Sequence, residues 1–132
     1  MAYKKDNPDW LATELAAPAA YTTTQTSSAI DLSLYRKAFL LLHIGDWTDG
    51  TYTPSVTTSA TSGGSFAADT MLAGSDAFVV VSSETEDDTL YKVDLDLDLA
   101  DNRWLKLVMT AAGTTTGTVF GASFVGQKKI GA

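Results

Sequence analysis

Between Tyr91 and Leu99 the chain alternates without a break: Tyr91, Val93, Leu95, Leu97 and Leu99 are apolar, while Lys92, Asp94, Asp96 and Asp98 are charged. A period of two puts the two sets on opposite faces of an extended backbone, so this stretch predicts a strand with one face in a core and one in water. A chain carrying such a strand needs partner strands and a second layer to cover the apolar face.

The rest of the sequence supplies candidates for both. Ile30, Leu32 and Leu34 alternate with polar neighbours, and Ala38 to Ile44 is a nearly continuous apolar run of central-strand length. Asp49-Gly50 lies between Trp47 and Tyr52 and reads as a hairpin turn, because this dipeptide accepts positive φ. The outgoing strand, Thr51 to Ala60, contains Pro54 and is expected at a sheet edge, since proline has no amide to donate. Thr61-Ser62-Gly63-Gly64-Ser65 reads as a loop, with Phe66, Met71 and Leu72 pinning the connection beyond it. Phe78 to Val81 reads as a buried strand and Glu84 to Asp88 as a solvated turn. Arg103 to Thr110 and Thr118 to Val125 complete the set, separated by Gly113-Thr114-Thr115-Thr116-Gly117. Short strands at this spacing predict an all-β fold, an antiparallel β-sandwich of jelly-roll-like form. The expected core is Leu40, Leu42, Phe78, Val80, Val93, Leu95, Leu105, Leu107 and Val119.

The first twenty residues differ in kind. Asp9 follows Pro8 and is placed to cap a short helix through Trp10, Leu11 and Leu15 that stops at Ala17-Pro18. A helix this short does not hold alone in water. Residues 1–20 are therefore read as an extended N-terminal arm and 21–132 as the sandwich body. Apolar anchors on a segment without a core point to docking across a neighbouring subunit, with Trp10 as main anchor and Lys4 and Lys5 meeting acidic groups; packing back on its own sandwich is the alternative. Tyr21 to Ser28 is polar and β-prone, as an arm or an edge strand would be.

The formal net charge is −7, and Lys92 is the sole basic residue between Gly45 and Asp101. Phosphate neutralisation needs clustered cations, so no nucleic-acid partner is expected. No apolar run approaches the roughly 20 residues of a membrane helix, and the basic start lacks the apolar stretch of a signal peptide. There is no cysteine, which removes disulfides and thiolate metal sites.

Chemistry is sparse. His43 is the single histidine and lies inside the apolar run, so a structural or interface role is expected, with no pocket joining it to a carboxylate and a hydroxyl in hydrogen-bonding order. Asp94, Asp96 and Asp98 start like a calcium loop, but Leu99 and Leu105 stand where that loop needs its glycine and its bidentate glutamate. On a strand these carboxylates sit about 7 Å apart, which suits a solvated face better than one ion. Trp47 is a candidate for stacking on a sugar or for packing beside the turn. No catalytic residue, cofactor or metal is expected, and the protein is read as a non-enzyme.

Two stretches resemble a known family. Gly45-Asp46-Trp47-Thr48-Asp49-Gly50-Thr51-Tyr52-Thr53-Pro54 is similar to the aromatic-Thr-Asp-Gly-Thr-aromatic hairpin of tailed-phage head decoration (cement) proteins. Tyr91 to Gly126 resembles the same proteins, notably Arg103-Trp104-Leu105-Lys106-Leu107-Val108 followed by Ala111 to Gly121 and the basic tail Gln127-Lys128-Lys129. The resemblance implies a jelly-roll-like virion protein on the outer capsid surface, made in the host cytoplasm, that bridges neighbouring major capsid proteins as a homo-oligomeric dimer or trimer. The interface residues this reading selects are Tyr3, Lys4, Lys5, Trp10, Leu11, Leu15, Trp47, Lys128 and Lys129. A carbohydrate-binding β-sandwich module or a head-fibre base is the alternative function.

Overall fold

A computed structural model describes residues 10–69, 72, 78–99 and 102–129. Among these residues there are nine strands, three single 3-10 turns and no α-helix. The strands are β1 (Trp10–Tyr21), β2 (Gln25–Thr26), β3 (Ile30–Asp31), β4 (Tyr35–Trp47), β5 (Thr51–Ser59), β6 (Ala67–Ala68), β7 (Thr89–Leu95), β8 (Trp104–Ala112) and β9 (Thr118–Lys128).

One sheet has the order β1-β9-β4-β7 and the other β2-β8-β5-β6, with β3 also on β8. β2 faces Met109 and Val108 while β3 faces Leu105 and Trp104, so the two are pieces of one interrupted strand lying along β8. Counting them as one, the first strand pairs the last, the second the seventh, the third the sixth and the fourth the fifth, every pair antiparallel. That is a long hairpin rolled into two layers, the jelly-roll topology.

The inward rows form the core between the sheets. From the first sheet come Leu40, Leu42, Ile44, Val93, Leu95, Phe120, Ala122 and Phe124; from the second come Tyr52, Val56, Leu105, Leu107 and Met109. Phe120 meets Tyr52 edge-on at 5.0 Å between ring centroids, joining the two layers. Each fully buried large side chain contributes about 1.5–3 kcal/mol relative to exposure.

Several expectations are corrected. Residues from Trp10 form a twelve-residue strand rather than a helix, because the open edge of β9 offers the backbone a ladder that a short isolated helix cannot match. The boundary at residue 20 falls inside β1, whose register shifts twice between Glu14 and Ala19, where Pro18 sits on the free edge. Asp49-Gly50 is a turn with Gly50 at φ +80, yet it joins β4 in one sheet to β5 in the other, so it is an inter-sheet corner and not a hairpin. Residues 78–80 form no strand, and Val79 and Val80 are exposed; only Val81 bridges to Tyr52. Phe78 is half-buried and Val119 exposed, because the inward row of β9 is the even-numbered one. The alternating strand ends at Leu95 and passes into a 3-10 turn at Leu97–Leu99; Leu32–Leu34 is likewise a 3-10 turn.

The edge position expected from Pro54 is corrected, since β5 lies between β8 and β6, yet Pro54 sits where its missing amide costs no ladder bond among the described residues. Tyr52 exchanges both backbone bonds with Val81, so even-numbered residues of β5 point their amides away from β8. On that side β6 pairs only with Thr57 and Thr58, leaving no acceptor that Pro54 fails to meet.

Candidate interaction surface

A two-layer sandwich covers each sheet on one face only. The apolar run of β4 is therefore half inside, and its odd-numbered row faces outward with whatever stands opposite it on β9 and β7. Register places Ala12, Val125, Phe39 and Asp94 in one outward row across the sheet, and Glu14, Ser123, Leu41 and Lys92 in the next. Gly121, His43 and Leu90 form a third row. Trp10 stands at the end of this face with its ring 6.1 Å from that of Phe39, and Lys92 Nζ lies 4.9 Å from the Phe39 centroid on the other side. Leu90 is 65% exposed.

A shallow groove of about 250 Å³ crosses the middle of this face, lined by Glu14, Pro18, Leu41, His43, Leu90 and Ser123. Gly121 forms its floor because a β-carbon there would meet Pro18 at 3.2 Å. The groove does gather a histidine, a carboxylate and a hydroxyl, with no hydrogen bond joining any two of the three.

Of the interface residues chosen from sequence, Trp10 lies on this face, half-buried. Leu11 is exposed near the start of the edge strand. Leu15 is 8% exposed and part of the core, so it is withdrawn as a contact residue; β1 turns it inward where the helix reading left it free. Trp47 is half-buried against the core and donates its indole N–H to the Gly50 carbonyl at 2.9 Å, beside the turn. Lys128 is half-buried and Lys129 exposed at the opposite end of the sandwich. Tyr3, Lys4 and Lys5 lie outside the described residues. Sequence reasoning missed Phe39, Leu41, Leu90 and Val125. The signal was present: a strand apolar on both faces, in a fold that covers one.

The two ends are closed by carboxylates. At one, Asp49 accepts backbone N–H bonds from Gly117 (2.7 Å), Thr115 (3.0 Å) and Thr116 (3.1 Å), tying the β4–β5 corner to the β8–β9 corner. These donors, Gly117 foremost, hold its pKa below the usual carboxylate value. Gly117 is at φ +85 and abuts the Tyr21 carbonyl, which leaves no room for a side chain. Beside it Ser83 and Glu86 form a capping box, and Asp87 accepts the Trp47 backbone N–H at 2.7 Å. At the other end Arg103 grips Asp31 with two bonds, Nε at 2.9 Å and Nη2 at 2.7 Å, while Ser33 donates from backbone and hydroxyl. The guanidinium holds the Asp31 carboxyl far below the ordinary range, and the carboxylate raises the Arg103 pKa.

The carboxylates of the acidic stretch are engaged separately. Asp94 pairs with Lys92 at 3.3 Å, and Asp96 accepts the backbone N–H of Asp98 at 3.2 Å beyond the end of the strand. Among the described residues no group of three histidines or acids is arranged to hold a metal. No helix there is long and apolar enough to cross a membrane.

The fold and its surfaces define an all-β sandwich of the jelly-roll class. No family model matches the chain, and no curated protein matches it in sequence. Among solved structures it is similar to the infectious bursal disease virus VP2 subviral particle, at a TM-score of 0.45 and 11% identity over 90% of this chain. The chain spans 33% of that protein's length.

Proposed function

We propose that this protein is a virion structural component that decorates and cements the outer surface of a tailed-phage capsid by bridging neighbouring major capsid proteins, without catalysis. The observation that carries the reading is the outward face of β1, β9, β4 and β7, where the exposed Leu90 and the half-buried Trp10, Phe39, Leu41 and Val125 form an apolar surface that no second layer of the described residues covers. The resemblance of Gly45–Pro54 and Tyr91–Gly126 to head decoration proteins supports the same reading. A docking face of this kind needs only modest single-site affinity, because an oligomer bound at one point holds its next contact at high effective concentration.

Heads assembled without the protein test this. Wild-type protein is expected to co-sediment with them to a fixed stoichiometry and to raise the temperature at which they release DNA. Phe39→Ser with Leu90→Ser is expected to keep its fold and lose binding. Absence of saturable binding by the wild type, or equal binding by the variant, refutes the reading.

A further inference from the structure

Asp49-Gly50 is the single Asp-Gly step in the chain. Such a step is open to a rearrangement of its own atoms. The glycine nitrogen attacks the aspartate side-chain carbon, a C–N bond forms, and the carboxyl hydroxyl leaves with the amide proton as water. The product is a succinimide ring. Water then opens the ring, and where it breaks the bond from the nitrogen to the main-chain carbonyl carbon, the chain runs on through the side chain as isoaspartate. The water lost in the first step returns in the second, and nothing is oxidised or reduced. Glycine makes the step easy, since no side chain shields its nitrogen and its backbone reaches angles closed to other residues.

The fold restrains this dipeptide from several sides. Both carboxylate oxygens of Asp49 are committed to the β8–β9 corner: Oδ1 accepts from Thr115, Thr116 and Gly117, and Oδ2 accepts from Thr116 at 3.1 Å. Turning the side-chain carbon onto the Gly50 nitrogen would give up these bonds. The same donors keep the carboxyl ionised, whereas ring closure expels hydroxyl from the neutral acid. The main chain is gripped as well, because the Gly117 carbonyl accepts the N–H groups of Thr48 at 3.0 Å and Asp49 at 3.3 Å. The Gly50 carbonyl is fixed by the Trp47 indole at 2.9 Å. Gly50 itself is packed so closely that a β-carbon there would meet the Thr114 Cα at 2.9 Å and the Ala112 carbonyl at 3.0 Å.

We infer that Asp49-Gly50 is a covalent modification site kept shut by the docked β8–β9 corner, and that it converts to isoaspartate in copies whose corner has opened. The lock and the reactive group are the same carboxylate, so whatever frees it from Thr115, Thr116 and Gly117 also arms it. Thr115 and Thr116 are exposed, and exposed corners open at lower free energy than the whole fold. The conversion runs one way in structural terms. Isoaspartate adds a carbon to the main chain and takes one from the side chain, so the carboxylate no longer reaches the three amides from where Asp49 stood. The end of the sandwich that joins the two sheets therefore keeps a chemical record of having opened, whatever the outward face of β4 binds.

Peptide mapping by mass spectrometry on the full chain tests the inference without any capsid, so it stands or falls apart from the proposed function. Aspartate and isoaspartate peptides have equal mass but separate on a column and fragment differently. At neutral pH the folded wild type is expected to gain isoaspartate at position 49 roughly tenfold or more slowly than the same chain unfolded in guanidinium, because only the open fraction reacts. Asp49→Glu, which would have to close a larger ring, is expected to abolish the product in guanidinium. Gly117→Ala sets a side chain at φ +85 against the Tyr21 carbonyl and is expected to speed conversion of the folded chain roughly tenfold. If its circular dichroism shows misfolding, Trp47→Phe, which removes only the indole bond to Gly50, takes its place with a rise of roughly twofold or more. Equal rates in the folded and unfolded wild type, no isoaspartate at position 49 in guanidinium, or a folded-state rate indifferent to the corner variant would overturn the inference.

Discussion

The outward rows of β4 and β5 make a controlled comparison. Both strands carry inward rows of buried aromatic and aliphatic residues, and both sit between partners in their sheets. Outward, β5 presents Thr51, Thr53, Ser55 and Thr57, whereas β4 presents Lys37, Phe39, Leu41 and His43. Threonine suits a pleated backbone as well as valine does and gives water a hydroxyl, so the β5 row is what a strand facing solvent looks like. On the other side Phe39 and Leu41 stand outward and only half-buried among the described residues. The difference separates residues that make the sandwich from residues kept for something outside it.

The largest effects should ignore the distinction. Phe124→Ala, on the inner face of the first sheet, is expected to cost about 3–5 kcal/mol, and Leu107→Ala, on the inner face of the second, about 2–5 kcal/mol. Urea unfolding measures both. A loss well below 2 kcal/mol at either site would mean that the two inner faces are not equally closed.

Next come substitutions on the outward rows. Phe39→Ser alone should weaken head binding by roughly tenfold or more while shifting the unfolding free energy by no more than about 1 kcal/mol. Thr53→Ala with Ser55→Ala should change neither. Equal losses of binding from both rows would break the comparison.

The corners that join the faces respond to acid. Asp49 and Asp31 both have folded pKa values below their unfolded ones. The stability they add is therefore complete above the unfolded value of about 3.9 and is lost as pH falls through the folded values. Thermal unfolding from pH 7 down to pH 2 should show a falling Tm below about pH 4. Asp49→Asn should lower Tm at neutral pH and flatten that slope, since its amide cannot accept three N–H bonds as the carboxylate does. A variant with an unchanged acid slope would remove Asp49 from the corner's stability.

The smallest effect belongs to the exposed pair Lys92–Asp94 beside Phe39. Lys92→Ala should alter stability by less than about 1 kcal/mol. It should make head binding less sensitive to salt and little weaker, as charges at the rim of an apolar patch do. A large loss of stability in guanidinium titration would show that the pair is not solvent-screened.

Much of this was legible in the sequence, and the misreadings share a cause. Tyr91 to Leu95 alternates because one face meets the core, and a period of two survives whatever the partner strand is. Pro54 was legible as a position whose amide has no acceptor, and Gly50 as one that needs positive φ. Phe78 to Val80 was not, because an apolar run records hydrophobicity and not whether a partner strand lies within reach. Val119 was misplaced because a run of β-forming residues does not mark its own phase, and one residue of slip turns a strand inside out.

By itself the sequence determined that the chain is all-β and where most strands begin and turn. Those are local properties, set by side-chain periodicity and by the few residues that tolerate special backbone angles. Only the tertiary structure decided that Asp49-Gly50 crosses between sheets, since a corner and a hairpin ask the same of their glycine. It alone decided that Trp10 to Tyr21 is the edge strand of its own sheet, and that Phe39 and Leu41 face outward. Each of these depends on which distant segment supplies hydrogen bonds or cover. β9, which does so for β1 and β4, lies far away along the chain and beside them in space.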